Sequence, residues 1–192
     1  MRDIVLASAS PRRKKILSLT GLQFKTCVSN YKEDLTNSGE PRALARFLSR
    51  KKAEDVVLKC PDAVIIAADT FIVYKNKFLG KPTSPDHALR ILKMLNGKKH
   101  SVITGFTVID SRSNKMVSRS METNVYFKKN TDAEIHAYVR SGEPLDKAGA
   151  YAIQGLGSVL IKKIDGDFFN IVGLPVCALV DTLKKFGISV LA

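Results

Sequence analysis

The sequence predicts an α/β protein in which short buried strands alternate with capped, amphipathic helices. Three observations carry that prediction. The apolar run Ile4 to Ala7 passes through Ser8-Ala-Ser10 straight into a helix opened by Pro11. Ala63 to Ala68, the most hydrophobic strand candidate, follows a long helix opened by Pro41. Two long strand candidates, His100 to Asp110 and about Lys115 to Phe127, flank the turn-like Ser111-Arg-Ser-Asn114 and read as an antiparallel pair.

Composition narrows the class. A length of 192 residues fits one domain or two small lobes, and a hydrophobic share of 45% with 26% charged residues is that of a globular chain. No apolar run nears about 20 residues, and Arg2 and Asp3 precede only four apolar residues, which argues against a membrane span or a secretory signal. Cys27, Cys60 and Cys177 lie far apart and are odd in number, as expected of reduced thiols in a cytoplasmic protein. The three histidines are equally scattered and argue against zinc. A net charge of +13 points to acidic partners, either nucleic acid or a polyphosphate substrate. Lysine pairs such as 14–15, 98–99, 128–129 and 162–163 are spread along the chain and predict a generally basic, solvated surface.

In chain order, Ser10 can cap the first helix, Pro11 suits its first position, and Gly21 closes it past Leu19. Arg12 and Arg13 in the first turn oppose the helix dipole, a conflict that an anion over that turn removes. An ordinary capped helix with two solvated arginines is the alternative. Phe24 to Ser29 reads as a strand, and Asn30 to Glu40 as a polar loop holding Glu33 and Asp34. The helix from Pro41 to about Lys59 carries Leu44, Phe47, Leu48 and Val56 as its buried stripe. Lys52 stands four residues from both Leu48 and Val56, so it projects near that stripe, either snorkelling to water or reaching into a cleft.

The Ala63–Ala68 strand is expected to end at Asp69-Thr70, which presents a carboxylate at the mouth of the sheet. Phe71 to Tyr74 and Phe78-Leu79 then form a hairpin around Lys75-Asn-Lys77, followed by Gly80-Lys81-Pro82. No P-loop spacing appears. Ser84-Pro85-Asp86 opens a helix that Asn96-Gly97 ends, and Thr131 to Glu134 makes a capping box for a helix closed by Gly142. The stretch Gly142 to Gly155 mixes charged, small and aromatic residues without a period, as a pocket wall does, with Lys147 and Gln154 as its inward polar groups. Ser158 to Ile164 and Phe168 to Val172, around the Asp165-Gly166 turn, read as a second hairpin. Pro175 opens a last helix, ended by Gly187.

Five stretches in this order, Ser8-Ala-Ser-Pro-Arg-Arg13, Ala68-Asp-Thr70, Gly80-Lys-Pro82, Ser101-Val-Ile-Thr-Gly105 and Lys147-Ala-Gly-Ala-Tyr-Ala-Ile-Gln-Gly155, make the chain resemble the Maf family of nucleoside triphosphate pyrophosphatases over essentially all its length. The resemblance implies one Maf-like domain over residues 1–192. Its α/β fold would have a mixed, strongly bent sheet with flanking helices, and two lobes around a deep cleft, as in inosine triphosphate pyrophosphatases. It further implies hydrolysis of dTTP or UTP between the α- and β-phosphates, with Asp69 as general base, Glu33 and Asp69 holding Mg²⁺ (or Mn²⁺), and Lys52 and Lys81 in the catalytic set. Ser8, Arg13 and Lys147 would bind phosphates; Arg12, Thr70 and Gln154 would choose the base. A Gln amide offers a donor and an acceptor together, which suits the edge of uracil or thymine. Lys32 stands beside Glu33 where many relatives carry a second acid. A homodimer is the family-level expectation. Two alternatives stand beside this reading: the same chemistry on modified or 7-methyl-guanine nucleotides, and a basic cell-division regulator binding nucleic acid or a protein. Low aromatic content and the lack of any recognition motif make nucleic acid the weaker partner.

Overall fold

The computed structural model describes residues 2–32 and 39–191. Its strands are β1 (Asp3–Leu6), β2 (Lys25–Thr26), β3 (Ala63–Tyr74), β4 (Lys77–Leu79), β5 (Lys99–Asp110), β6 (Met116–Phe127) and β7 (Ile161–Asp165). They join one sheet in the order β2-β1-β3-β5-β6-β7, with β4 beside β3. β1 runs parallel to β2 and β3, whereas β4 is antiparallel to β3 and β7 to β6, so the sheet is mixed as expected. The helices are α1 (Pro11–Ser18), α2 (Pro41–Val57), α3 (Pro85–Leu95), α4 (Asp132–Arg140), α5 (Phe168–Val172) and α6 (Val176–Lys184). The chain forms two compact units. One comprises residues up to Thr70, Thr104–Met121 and the chain from Gly173 on; the other comprises Phe71–Ile103 and Glu122–Val172.

In the first unit, Ser10 caps α1 by accepting from the Arg13 amide at 3.4 Å, and Glu40 caps α2 by accepting from the amides of Arg42 and Ala43 at 2.9 and 2.8 Å. Leu44, Ala45, Leu48, Ser49, Ala53 and Val56 are the buried face of α2. Phe47, expected in that stripe, is 40% exposed, with the Arg50 guanidinium and Lys51 ammonium 5.6 and 5.8 Å from its ring centroid. The stripe is centred on small residues because α2 lies directly on the sheet: a Cβ at Gly105 of β5 would stand 2.1 Å from the Ala45 carbonyl oxygen. Val5, Ala7, Ala53, Val56, Ile65 and Ile109 pack one core there.

In the second unit, α3 and α4 bury Leu92, Leu95, Ile135 and Tyr138 against Ile72, Val102 and Val125. The Thr131–Glu134 capping box is formed. His100, Phe127 and Tyr151 meet edge to face, with centroids 4.9 to 5.3 Å apart, and His100 Nε2 lies 2.7 Å from the Tyr151 hydroxyl. Burial lowers the His100 pKa to about 4 from its ordinary 6.5. Between those values the unfolded chain binds a proton that the folded chain does not, so stability rises with pH through this window. Acidifying from pH 7 to 4 should therefore cost about 3 kcal/mol through this residue. Urea titrations across that range check it, and a His100→Gln variant, which keeps a partner for Tyr151, should flatten the slope.

Three expected elements differ. β3 continues through Asp69-Thr70 to Tyr74, because Phe71 to Tyr74 carry on as strand: Ile72 pairs with Leu79, and Lys75 and Asn76 take positive φ of 49° and 59° in the tight turn between β3 and β4. Strand β2 keeps only the two residues that pair with Val5 and Leu6. The hairpin expected over 158–172 does not form. Residues 155–160 make a 3₁₀ turn, β7 pairs with β6, and 168–172 is the short helix α5. The Asp167 carboxylate accepts from the Phe169 amide at 2.7 Å, and Asn170 turns inward to donate to the Val102 carbonyl at 3.0 Å, so side-chain bonds replace strand pairing.

Candidate active site

Asp69 sits in mid-β3, its side chain 9% exposed. A carboxylate so buried needs a charged partner, and Lys52 supplies it: Nζ donates to Asp69 Oδ1 at 2.8 Å from a side chain that is itself 14% exposed. The helical spacing of Lys52 from Leu48 and Val56 turns it toward the sheet, and the close seating of α2 at Gly105 brings that face down onto β3.

Thr70, the next residue, belongs to a second group. Arg13 donates from Nη2 to Thr70 Oγ1 at 3.1 Å, from Nη1 to Ser8 Oγ at 3.3 Å and from Nε to the Gly173 carbonyl at 2.9 Å. Ser8 Oγ also accepts from the Ser10 amide at 3.2 Å, and Thr70 Oγ1 lies 2.9 Å from Thr104 Oγ1. One guanidinium thus ties the β1–α1 turn, mid-β3 and the chain entering α6. Gly173 has φ of +118°, open to glycine, and a Cβ there would come within 3.3 Å of both Arg13 Nε and Thr70 Oγ1.

Five of the residues picked from the sequence, Ser8, Arg13, Lys52, Asp69 and Thr70, therefore gather in the first unit in two bonded groups joined through the Asp69–Thr70 peptide. Arg12 is exposed on α1. Thr104 and Gly173 take part unforeseen. Thr104 lies within the Ser101–Gly105 stretch already singled out, whereas nothing near Gly173 in the sequence signals its bond to Arg13.

Lys81, Lys147 and Gln154 belong to the second unit. The Gly149 amide donates to the Gly80 carbonyl at 2.9 Å, fastening the Gly80-Lys81-Pro82 turn to the 147–155 stretch. Lys147 is mostly buried and pairs with Asp146; Lys81 and Gln154 are exposed. Beyond Gln154, Glu143 accepts from the Leu156 and Gly157 amides, each at 2.9 Å, and from the Tyr138 hydroxyl at 3.0 Å. That staple also went unforeseen. The Tyr138 pKa is raised, by burial first and by Glu143 second, so its hydroxyl stays a donor.

Glu33 lies outside the described residues. Among the described residues no three His, Cys, Asp or Glu side chains cluster to hold a metal, and Asp69 offers one hard carboxylate. No helix among them is long and apolar enough to cross a membrane.

The model of the Maf-like protein family matches residues 3–186. The dTTP/UTP pyrophosphatase of Methanococcoides burtonii is 48% identical over 191 residues, covering 99% of this chain and 98% of its own. That of Methanosarcina mazei is 49% identical over 191 residues, with 99% and 97% covered. A third, from Alkaliphilus oremlandii, is 45% identical over 193 residues and covers both chains fully. A solved nucleoside-triphosphatase / dITP/XTP pyrophosphatase from Mycobacterium abscessus overlaps 67% of this chain and 75% of its own at a TM-score of 0.42 and 8% identity, a likeness too weak to carry an inference about the site.

Proposed function

The chain belongs to the Maf family, and from that premise we infer that it is a nucleoside triphosphate pyrophosphatase that hydrolyses dTTP and UTP to the nucleoside monophosphate and pyrophosphate. The observation that carries the reading is the buried Lys52–Asp69 pair beside the Ser8–Arg13–Thr70 cluster, in a chain that matches dTTP/UTP pyrophosphatases along its whole length.

In the proposed reaction Asp69 takes a proton from water, the water oxygen bonds to the α-phosphorus, and the bond from that phosphorus to the α–β bridging oxygen breaks, its electron pair leaving on pyrophosphate. Lys52 fixes the carboxylate by a charge-assisted hydrogen bond, so the base is aimed before substrate arrives. Positive groups and hydrogen-bond donors are what a transferring phosphoryl group needs; Ser8, Arg13 and Lys147 are assigned to the phosphates, and Lys81 to the catalytic set with Lys52. A single buried carboxylate with phosphate oxygens and water is a donor set that fits Mg²⁺. Asp69 would hold the ion together with Glu33, and the ion would supply charge neutralisation on the phosphates.

Base choice is assigned to Arg12, Thr70 and Gln154. Because Arg13 spends three nitrogens on Ser8, Thr70 and Gly173 whereas Arg12 is exposed, their substitutions should act differently. Arg13→Ala should lower turnover on every nucleotide by about 100-fold, the scale of a lost charge-assisted contact. Arg12→Ala should instead reorder kcat/KM among bases by about tenfold. Identical profiles for the two variants would undo this division.

Specificity constants measured with Mg²⁺ across dTTP, UTP, CTP, GTP, modified pyrimidine and 7-methyl-guanine triphosphates test the function. dTTP and UTP should rank first, each releasing one pyrophosphate per monophosphate. A first rank for 7-methyl-GTP, or release of inorganic phosphate alone, overturns it.

A further inference from the structure

Three of the lysine pairs that look dispersed in the sequence, Lys98-Lys99, Lys128-Lys129 and Lys162-Lys163, line one cavity of about 580 Å³ in the second unit. Five of the six are exposed, as the expected basic, solvated surface requires, but they are gathered rather than spread. They converge because the first pair leads into β5, the second follows β6, and the third lies on β7 against β6. A bulge completes the set. Tyr126 faces Lys163 and Phe127 faces Ile161, leaving Lys162 as the extra residue. Consecutive strand residues ordinarily point to opposite faces; the bulge re-aims one so that both lysines reach the cavity.

Counter-charge is scarce around these six ammonium groups. No Asp or Glu among the described residues lines the cavity. Lys128 reaches Glu134 at 3.0 Å, and Lys163 lies 4.5 Å from the centroid of the Tyr126 ring. Lys98, Lys99, Lys129 and Lys162 are exposed and make no ion pair among the described residues. Like charges gathered round a concave surface repel one another, and a multivalent anion reverses the sign of that interaction.

We infer that this cavity is a second anion site, made wholly of second-unit residues to which no part in the reaction is assigned, and that it takes a short phosphate chain of three or more groups. The cavity has the volume of a small-molecule site. Lysines serve as point charges for phosphates, and the lining holds no arginine for bidentate reading of base edges. Tyr126 is half-buried and Phe127 fully buried, so the cavity lacks the succession of aromatic platforms on which a single strand stacks. The chain can come free, as inorganic polyphosphate, or attached to a nucleoside whose base stacks on Tyr126.

Calorimetric titration in EDTA, where hydrolysis is suppressed, tests this with inorganic tripolyphosphate and with ATP. Wild type should bind tripolyphosphate, and Arg13→Ala should keep the lysine-dependent binding. The triple variant Lys98→Ala, Lys129→Ala, Lys162→Ala should weaken it by about tenfold or more, while its kcat/KM for dTTP stays within about twofold of wild type. Arginine at the same three positions should restore binding. Tighter binding of ATP than of tripolyphosphate, lost in Tyr126→Ala, identifies a nucleotide; equal binding identifies the bare chain. The inference is overturned if wild type does not bind tripolyphosphate, or if the triple alanine variant binds as wild type does. A uridine decamer held about tenfold more tightly than tripolyphosphate, with the same lysine dependence, also overturns it and gives the cavity to nucleic acid. Since binding is read without turnover, these outcomes are independent of the pyrophosphatase assay.

Discussion

An Asp69→Asn variant is expected to lose about three orders of magnitude in kcat for dTTP with its fold intact, the scale on which a positioned general base acts. Asparagine keeps the shape and an acceptor for Lys52, so the 2.8 Å bond survives in weakened form and the core of β3 is undisturbed. What it removes is the capacity to take a proton. Circular dichroism and thermal melting separate this from unfolding, and a pyrophosphate-release assay reads the loss. Retention of kcat within about fivefold would take Asp69 out of the base role. Lys52→Met is the complementary change: it leaves a buried carboxylate without its ammonium and should cost more stability than Asp69→Asn, about 3 kcal/mol or more. The double variant should be less destabilised than the sum of the two, the signature of a coupled pair.

The second large effect is structural in origin. Gly105→Ala should destabilise the protein by about 3 kcal/mol or more, at the upper end of overpacking costs. Its Cβ would stand 2.1 Å from the Ala45 carbonyl oxygen and 2.6 Å from the Arg46 amide nitrogen, and both neighbours are backbone. No side chain can rotate away, so α2 itself must lift from β5. Because α2 carries Lys52 about two turns further on, the variant that survives purification should also show reduced kcat. Urea unfolding gives the stability; an unchanged midpoint would mean the close approach is not what seats the helix.

Residues whose setting is local were the legible ones. Spacing put Lys52 near the buried stripe of its helix without deciding between water and a cleft, and the family resemblance chose the cleft; the caps at Ser10, Ser84 and Thr131 came from short-range hydrogen bonding that the sequence spells out. Asp69 announced itself by interrupting the most apolar run in the chain. The strand nevertheless continued past it, since the pairing of Ile72 with Leu79 outweighs the turn preference of an Asp-Thr step. Long-range partners left little trace. Arg13 meets Gly173 across 160 positions, and the three lysine pairs meet only once β5, β6 and β7 are laid side by side. The hairpin expected at 158–172 failed for a related reason: Asp167 and Asn170 spend their side chains on backbone groups, which no periodicity records.

The Glu143 staple has an evolutionary consequence. By gripping the amides of Leu156 and Gly157, with Tyr138 as a third attachment, it anchors the chain just beyond Gln154, while Tyr151 is locked on the other side against His100 and Phe127. Between these two moorings Gln154 projects from a short exposed span whose ends are held by residues other than itself. A lineage can exchange that side chain at little cost to folding. On the proposed assignment of Gln154 to base choice, changes in nucleotide preference would become accessible by single substitutions in a scaffold that does not have to be rebuilt.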